Sequence, residues 1–305
     1  MEKAKHHSVT MPQGGCISLY QVSPASDSHP KSKPLLVTHG TISNGQSVWP
    51  LAEHLAAAGF DCWVLEWGGH GKSEVAHKHQ TFESPALYDV PVAIDTVLRV
   101  SKQNQLYWVS HSGGGHLPLM HLAHFPEQEN KIAGLVSIGA QATHGALTLR
   151  HKARAAALWA ITHLCGVTPK ALAAVGTEGE PSKLLAQWAV WNLRQRWSGK
   201  SGIDYLKSLS SRTLPAFIIA GSKDEIAPAA GCRVFFDHLS SDDKQWLECG
   251  RTAGFSKDYN HGQLVMGRAA KEEIFPKIEQ WLMDRNPTLK SPENVNSRTA
   301  NPVNS

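Results

Sequence analysis

The chain has 305 residues, 41% hydrophobic and 18% charged, with 25 glycines, 17 prolines and a formal net charge of +4. That length and apolar content suit one large packed domain, or a domain carrying an insertion. The charge is mild and unclustered, which argues against nucleic acid as a partner.

Five cysteines (Cys16, Cys62, Cys165, Cys232, Cys249) are scattered, odd in number and without metal-ligand spacing. They read as small core residues in a reducing compartment. Residues 1–7 carry no apolar segment and no cleavage signature, so no signal peptide is expected. No apolar run approaches the roughly 18 residues of a membrane-spanning helix. The expectation is a soluble, cytoplasmic protein.

After a polar start, Cys16 to Val22 alternates apolar and polar residues, the pattern of a half-exposed strand. Ser23 to Lys33, with Pro24 and Pro30, reads as a surface loop. Pro34 to Thr38 is a short, continuously apolar strand of the kind buried in a parallel sheet, and it runs into His39-Gly40-Thr41. Trp49 to Ala58 has helical periodicity and stops at Gly59. Phe60 to Glu66 is the next strand and leads into Gly68-Gly69-His70-Gly71-Lys72-Ser73. Leu87 to Val100 reads as a helix despite Pro91, and Ile132 to Ile138 as a further strand. This alternation predicts an α/β fold with a mostly parallel central sheet and helices on both faces.

From Thr143 to Ser211 the rhythm changes. Helical patterns cover Leu147–Leu164, Pro169–Val175 and Pro181–Trp197, with no convincing strand among them. A structureless connection of that length is implausible, so 143–211 is expected to be a helical insertion. Trp188 and Trp191 are three residues apart and share a helix face. Such a stripe mainly packs an insertion onto its core, although individual rings can line a pocket. Strands resume at Pro215–Ala220 and Gln245–Cys249, and Glu272–Met283 forms a terminal helix. The tail 284–305 is polar, rich in Pro, Asn and Ser, and is expected to be disordered.

The chemistry centres on Leu106 to Gly115. Tyr107, Trp108 and Val109 are β-formers, Gly113, Gly114 and Gly115 follow, and an apolar helical run begins at His116. Strand, abrupt turn and helix around Ser112 make a nucleophile elbow, in which a strained backbone lifts the hydroxyl above the sheet. The usual pattern is Gly-x-Ser-x-Gly; here Ser110 stands in the first position and Gly114 in the last. No lysine follows the glycines, which argues against a phosphate-binding loop.

A serine hydroxyl needs a general base, and that base needs a carboxylate to fix its tautomer. Asp224 follows an apolar strand, and His261 lies in the loop after the last strand, in Asp258-Tyr259-Asn260-His261-Gly262. Glu225 and Asp258 are the alternative acids. Of the 17 histidines, His77, His79, His121 and His124 read as solvated loop or helix-face residues, His151 and His163 as part of the insertion, and His111 and His116 as structural. Acyl transfer also requires donors aimed at the developing oxyanion. The amide of Gly113, directly after the nucleophile, is one; the amide of Thr41, beyond Gly40, is the expected second. His39 is expected to brace that loop.

Taken together, these segments resemble the α/β-hydrolase superfamily, in a serine esterase or lipase-like form with a helical cap. The resemblance rests on His39-Gly40-Thr41, Gly69-His70-Gly71-Lys72-Ser73, Val109 to Gly115, and Gly221 to Pro228 with Asn260-His261, in the order Ser112, Asp224, His261. The sequence departs from the family at Ser110 and at Gly68, where an arginine is common. The resemblance implies 1–142 and 212–283 as the two parts of the core and 143–211 as the cap. It also implies ester hydrolysis through an acyl-enzyme on Ser112, with no cofactor and no metal. The substrate would be a small molecule with an apolar acyl or alcohol group. Peptidase, thioesterase or lactonase activity on the same triad, or a non-catalytic ligand-binding protein, are the alternatives. Residue order is silent on oligomeric state.

Overall fold

The structure, a computed structural model, describes residues 4–24, 32–74, 80–164 and 179–286. The helix expected over Pro169–Val175, His77, His79, Cys165 and the tail from 287 onward lie outside the described residues.

Eight strands form one sheet in the order β1-β2-β4-β3-β5-β6-β7-β8. They are β1 Lys5–Thr10, β2 Cys16–Val22, β3 Leu35–Thr38, β4 Cys62–Glu66, β5 Leu106–His111, β6 Ile132–Ile138, β7 Ala216–Gly221 and β8 Lys244–Cys249. β1 and β2 pair antiparallel, β2 joins β4 antiparallel, and the pairings from β4 to β8 are parallel. The central strands are buried on both faces. Leu36, Leu106 and Trp108 enter one core, while Leu35, Val37, Tyr107 and Val109 enter the other. That two-sided burial is why these strands read as continuous apolar runs, with each buried aliphatic side chain contributing about 1.5–3 kcal/mol.

Helices cover both faces. α1 (Trp49–Ala57) and α8 (Phe275–Asp284) pack on one side through Leu51, Leu55, Ile278 and Trp281. α2 (Val90–Ser101), α3 (His116–His124) and α7 (Ala229–His238) pack on the other through Ile94, Val97, Leu117, Met120 and Phe235. Between β6 and β7 the chain forms α4 (Leu149–Leu164), α5 (Ser182–Arg194) and α6 (Tyr205–Leu209). No helix among the described residues is long and apolar enough to cross a membrane.

The structure adds β1, α6 and α7 to the sequence reading. β1 is an edge strand built from polar, exposed residues, with His6 stacked on Tyr20 and 3.0 Å from the Ser18 hydroxyl. Polar edges of this kind resist further strand pairing, and they carry no apolar signal. α7 was hidden by Gly231 in its first turn; it buries Cys232 and Phe235 three residues apart. A π-turn at Pro85–Asp89 runs straight into α2, and Pro91 sits at that junction, where the helical hydrogen-bond ladder is already widened. Arg285 is fixed rather than loose: its guanidinium pairs with Asp243 and its carbonyl accepts from the Tyr107 hydroxyl. His121 is fully buried, not solvated, and its ring lies 3.1 Å from the Ala86 carbonyl. Cys62, Cys232 and Cys249 are buried free thiols.

Three imidazoles are buried beneath the C-terminal edge of the sheet. Burial holds His39 well below the ordinary imidazole range, lowers His111 to about 3 with help from the neighbouring His261, and lowers His116 to about 4. His111 and His116 are neutral in the native state at pH 5, where the unfolded chain protonates them, so each withdraws about 2 kcal/mol of stability as pH falls from about 7 to 5, and His39 acts in the same direction. Asp89 opposes this: burial raises its carboxyl to about 6, so the native state takes up a proton first and gains about 1 kcal/mol by pH 5. His70 also opposes it, because Glu180 overcomes the effect of burial and raises its pKa, but its contribution is complete below about pH 6.5. The balance predicts several kcal/mol less stability at pH 5 than at pH 7. Urea denaturation at the two pH values measures it; equal midpoints would contradict the neutral burial of these rings.

Candidate active site

The parallel strands deliver their functional residues to one edge of the sheet, as open α/β sheets do at the carboxyl ends of their strands. Beyond Thr38 at the end of β3 come His39, Gly40 and Thr41. β5 ends at His111, directly before Ser112, while β7 ends just before Asp224 and β8 leads toward His261.

Ser112 begins a tight 3-10 turn, Ser112–Gly115, that passes straight into α3. Its φ is +53°, a left-handed conformation that costs a non-glycine residue roughly 1–3 kcal/mol and persists only where packing enforces it. The enforcement is visible around it. A Cβ on Gly40 would stand 2.8 Å from the Ser112 Cβ, one on Gly114 2.3 Å from the His39 carbonyl oxygen, and one on Gly115 2.5 Å from the Ala140 Cβ. Ser110, the departure from the usual motif, is buried and donates its hydroxyl to the Val136 carbonyl at 3.1 Å. It is small enough for the crowded start of α3 and ties β5 to β6. The other departure, Gly68, donates its amide to Asp89 at 2.7 Å, and a side chain there would press on Asp89 and Gln80 at 3.1 Å.

The structure brings Ser112, His261 and Asp224 together. The Ser112 Oγ lies 2.7 Å from the His261 Nε2, and the His261 Nδ1 lies 2.7 Å from the Asp224 Oδ2. The second oxygen of Asp224 accepts the amides of Ile226 at 2.9 Å and Ala227 at 2.8 Å, which locks the carboxylate toward the imidazole. Of the alternative acids, Glu225 is exposed, and Asp258 accepts from the Ser222 hydroxyl and the Arg251 amide. The Gly113 and Thr41 backbones adjoin: the Thr41 amide nitrogen would be 3.1 Å from a Cβ on Gly113. The His39 Nδ1 lies 2.8 Å from the Gly40 carbonyl.

A cavity of about 200 Å³, mostly apolar, opens onto Ser112, Gly113 and Thr41. Its wall includes Phe82, Leu158 from α4, and Leu185 and Trp188 from α5. The two tryptophans of α5 therefore divide their roles. Trp191 is buried against Phe82, His116 and Trp197, while Trp188 borders the cavity. Nothing in the residue order marks Phe82, Leu158 or Leu185, because the fold assembles them from segments far apart in the chain. Among the described residues, no group of three or more His, Cys, Asp or Glu is placed to hold a metal ion.

Comparison with known proteins agrees with this fold. The family profile of the α/β hydrolase fold matches residues 33–160. In sequence, the chain is 29% identical over 132 residues to the human lysosomal acid lipase/cholesteryl ester hydrolase, covering 37% of this chain and 32% of that protein. It is 28% identical over 160 residues to Lipase 3 of Drosophila melanogaster, covering 46% and 40%. The matched region thus spans 32% to 40% of these relatives' length. In structure, an esterase from Exiguobacterium antarcticum superposes with a TM-score of 0.65 at 16% identity, covering 92% of this chain and all of that one. A monoacylglycerol lipase from Paleococcus ferrophilus gives 0.59 at 21% identity, covering 88% and 99%. The chain has the α/β-hydrolase fold, and it is similar in structure and in part of its sequence to esterases and lipases.

Proposed function

We propose that the protein hydrolyses carboxylic esters through an acyl-enzyme on Ser112. The observation that carries this reading is the continuous hydrogen-bonded chain from Ser112 through His261 to Asp224. In this reading, Ser112 attacks the ester carbonyl while His261 Nε2 takes its proton. Asp224 holds the tautomer with the proton on Nδ1 and stabilises the imidazolium that forms. The amides of Gly113 and Thr41 stabilise the tetrahedral oxyanion. His261 then returns its proton to the departing alcohol, and water, deprotonated by the same imidazole, releases the acid.

Residues 143–211 act as a cap in this account, since Leu158, Leu185 and Trp188 line the cavity that Ser112 borders. The apolar lining favours a small-molecule ester with an apolar acyl or alcohol group. The buried free thiols and the neutral buried imidazoles suit a reducing compartment near neutral pH, such as the cytoplasm, better than an acidic one.

A fluorophosphonate probe followed by peptide mapping tests the assignment. Labelling of Ser112 that disappears in Ser112→Ala supports it; an unmodified Ser112 would overturn it. Asp224→Asn leaves the fold intact, because its neighbours still find an oxygen acceptor, and lowers kcat by about 10³–10⁴-fold. A near-normal rate in that variant would move the acid elsewhere. With p-nitrophenyl esters, kcat/KM rises about fourfold per added acyl methylene until the cavity is full. Trp188→Ala extends that rise to longer chains. Equal rates for acetyl and hexanoyl esters would contradict an apolar acyl site, and faster cleavage of amides or thioesters would reassign the leaving group.

A further inference from the structure

The Thr41–Ile42 turn carries a second non-glycine residue in the left-handed region: Ile42 has φ +56°. A β-branched side chain strongly disfavours that conformation, so the turn requires an external hold. On the core side, the Trp67 ring stacks on His39 with centroids 5.3 Å apart and lies 4.0 Å from His70, while the Trp67 indole donates to the His39 carbonyl at 3.4 Å. On the opposite side stands Glu180, just ahead of α5 in the segment between β6 and β7. Its Oε1 accepts the Ile42 amide at 2.8 Å and lies 2.9 Å from the His70 Nε2. Both side chains of the His70–Glu180 pair are fully buried.

We propose that Glu180 is a positioning residue for ester hydrolysis: its carboxylate, anchored by buried His70, holds Ile42 in its left-handed conformation and thereby aims the Thr41 amide at the reacting oxygen. One carboxylate oxygen serves both partners, so the anchor and the turn move as a unit. Ile42 and Thr41 border the same cavity as Leu185 and Trp188, which follow Glu180 on α5. The residues that shape the acyl site are thus physically tied to the residue expected to supply an oxyanion donor. Burial disfavours charge on His70, but its bonds to Glu180 outweigh that effect and raise its affinity for a proton.

This inference rests on the ester-hydrolase reading, and the experiment separates the two. Glu180→Ala and Glu180→Gln are compared with wild type after titrating active sites with a fluorophosphonate, so that misfolded protein is not counted. Glu180→Ala is expected to lose about 10–100-fold in kcat per titrated site, less than the full loss of an oxyanion donor, with KM changed less than threefold. Its affinity for a trifluoromethyl ketone, which forms a tetrahedral adduct, falls in parallel. Glu180→Gln retains an acceptor for the Ile42 amide and recovers part of the loss. Hydrogen exchange over residues 40–46 accelerates in Glu180→Ala, and this readout needs no turnover. Unchanged kcat per site, a loss confined to KM, or unchanged exchange would overturn the positioning role. Absence of ester turnover and of labelling in the wild type, with faster exchange in Glu180→Ala, would instead overturn the ester-hydrolase reading and leave the tether standing.

Discussion

β5 must hand over to α3 within a single turn, and the rest of the site follows from that constraint. The turn leaves no room for side chains at Gly113, Gly114 and Gly115, and it forces Ser112 into the left-handed region at φ +53°. A serine in an ordinary strand-to-helix loop would direct its hydroxyl along the sheet or into solvent. Here Gly40 closes on Ser112 and Ala140 on Gly115, and the Ser112 hydroxyl faces His261. The strain is offset by packing that extends through both cores, which is how the fold stabilises an otherwise unfavourable conformation. The same geometry places the Gly113 and Thr41 backbones side by side, so the proposed nucleophile and oxyanion donors are set by one arrangement rather than by independent loops.

Around this turn, electrostatic roles are divided by burial. Asp224 is fixed by two amides and directed at a partly accessible imidazole. His111, packed 4.9 Å from the ring of His261, is kept neutral by burial, so it adds no competing positive charge beside the proposed general base. His70 is the buried imidazole paired with a carboxylate, and it lies under the oxyanion loop rather than beside the nucleophile. Histidines of similar appearance in the sequence thus acquire different functions from depth and partner alone.

Much of this can be read from residue order, because it depends on local chemistry. The apolar runs at Leu35–Thr38, Leu106–Val109 and Ile132–Ile138 identify buried strands, and the glycines after Ser112 identify the elbow. Asp224 and His261 stand out because each follows a strand in a loop able to reach the sheet edge. Other features depend on contacts between distant segments and leave no local trace. Glu180 meets Ile42 across 138 positions, and Phe82 meets the cavity from a loop whose composition resembles any other. β1 carries no apolar signal because an edge strand has little to bury, and α7 hides its periodicity behind Gly231. Ser110 looks like a defect in a motif until the Val136 carbonyl is seen to accept its hydroxyl. His121 reads as surface until α3 is packed.

The central claim is a covalent acyl intermediate on Ser112 that forms and breaks through His261. Rapid acid quench of the wild-type protein during turnover of an activated ester, followed by mass analysis of the peptide bearing Ser112, observes it directly. The account predicts the acyl mass on Ser112 within the first turnover and its disappearance as substrate is exhausted. Turnover with no acyl mass on that peptide, or with the acyl group on another residue, would contradict it.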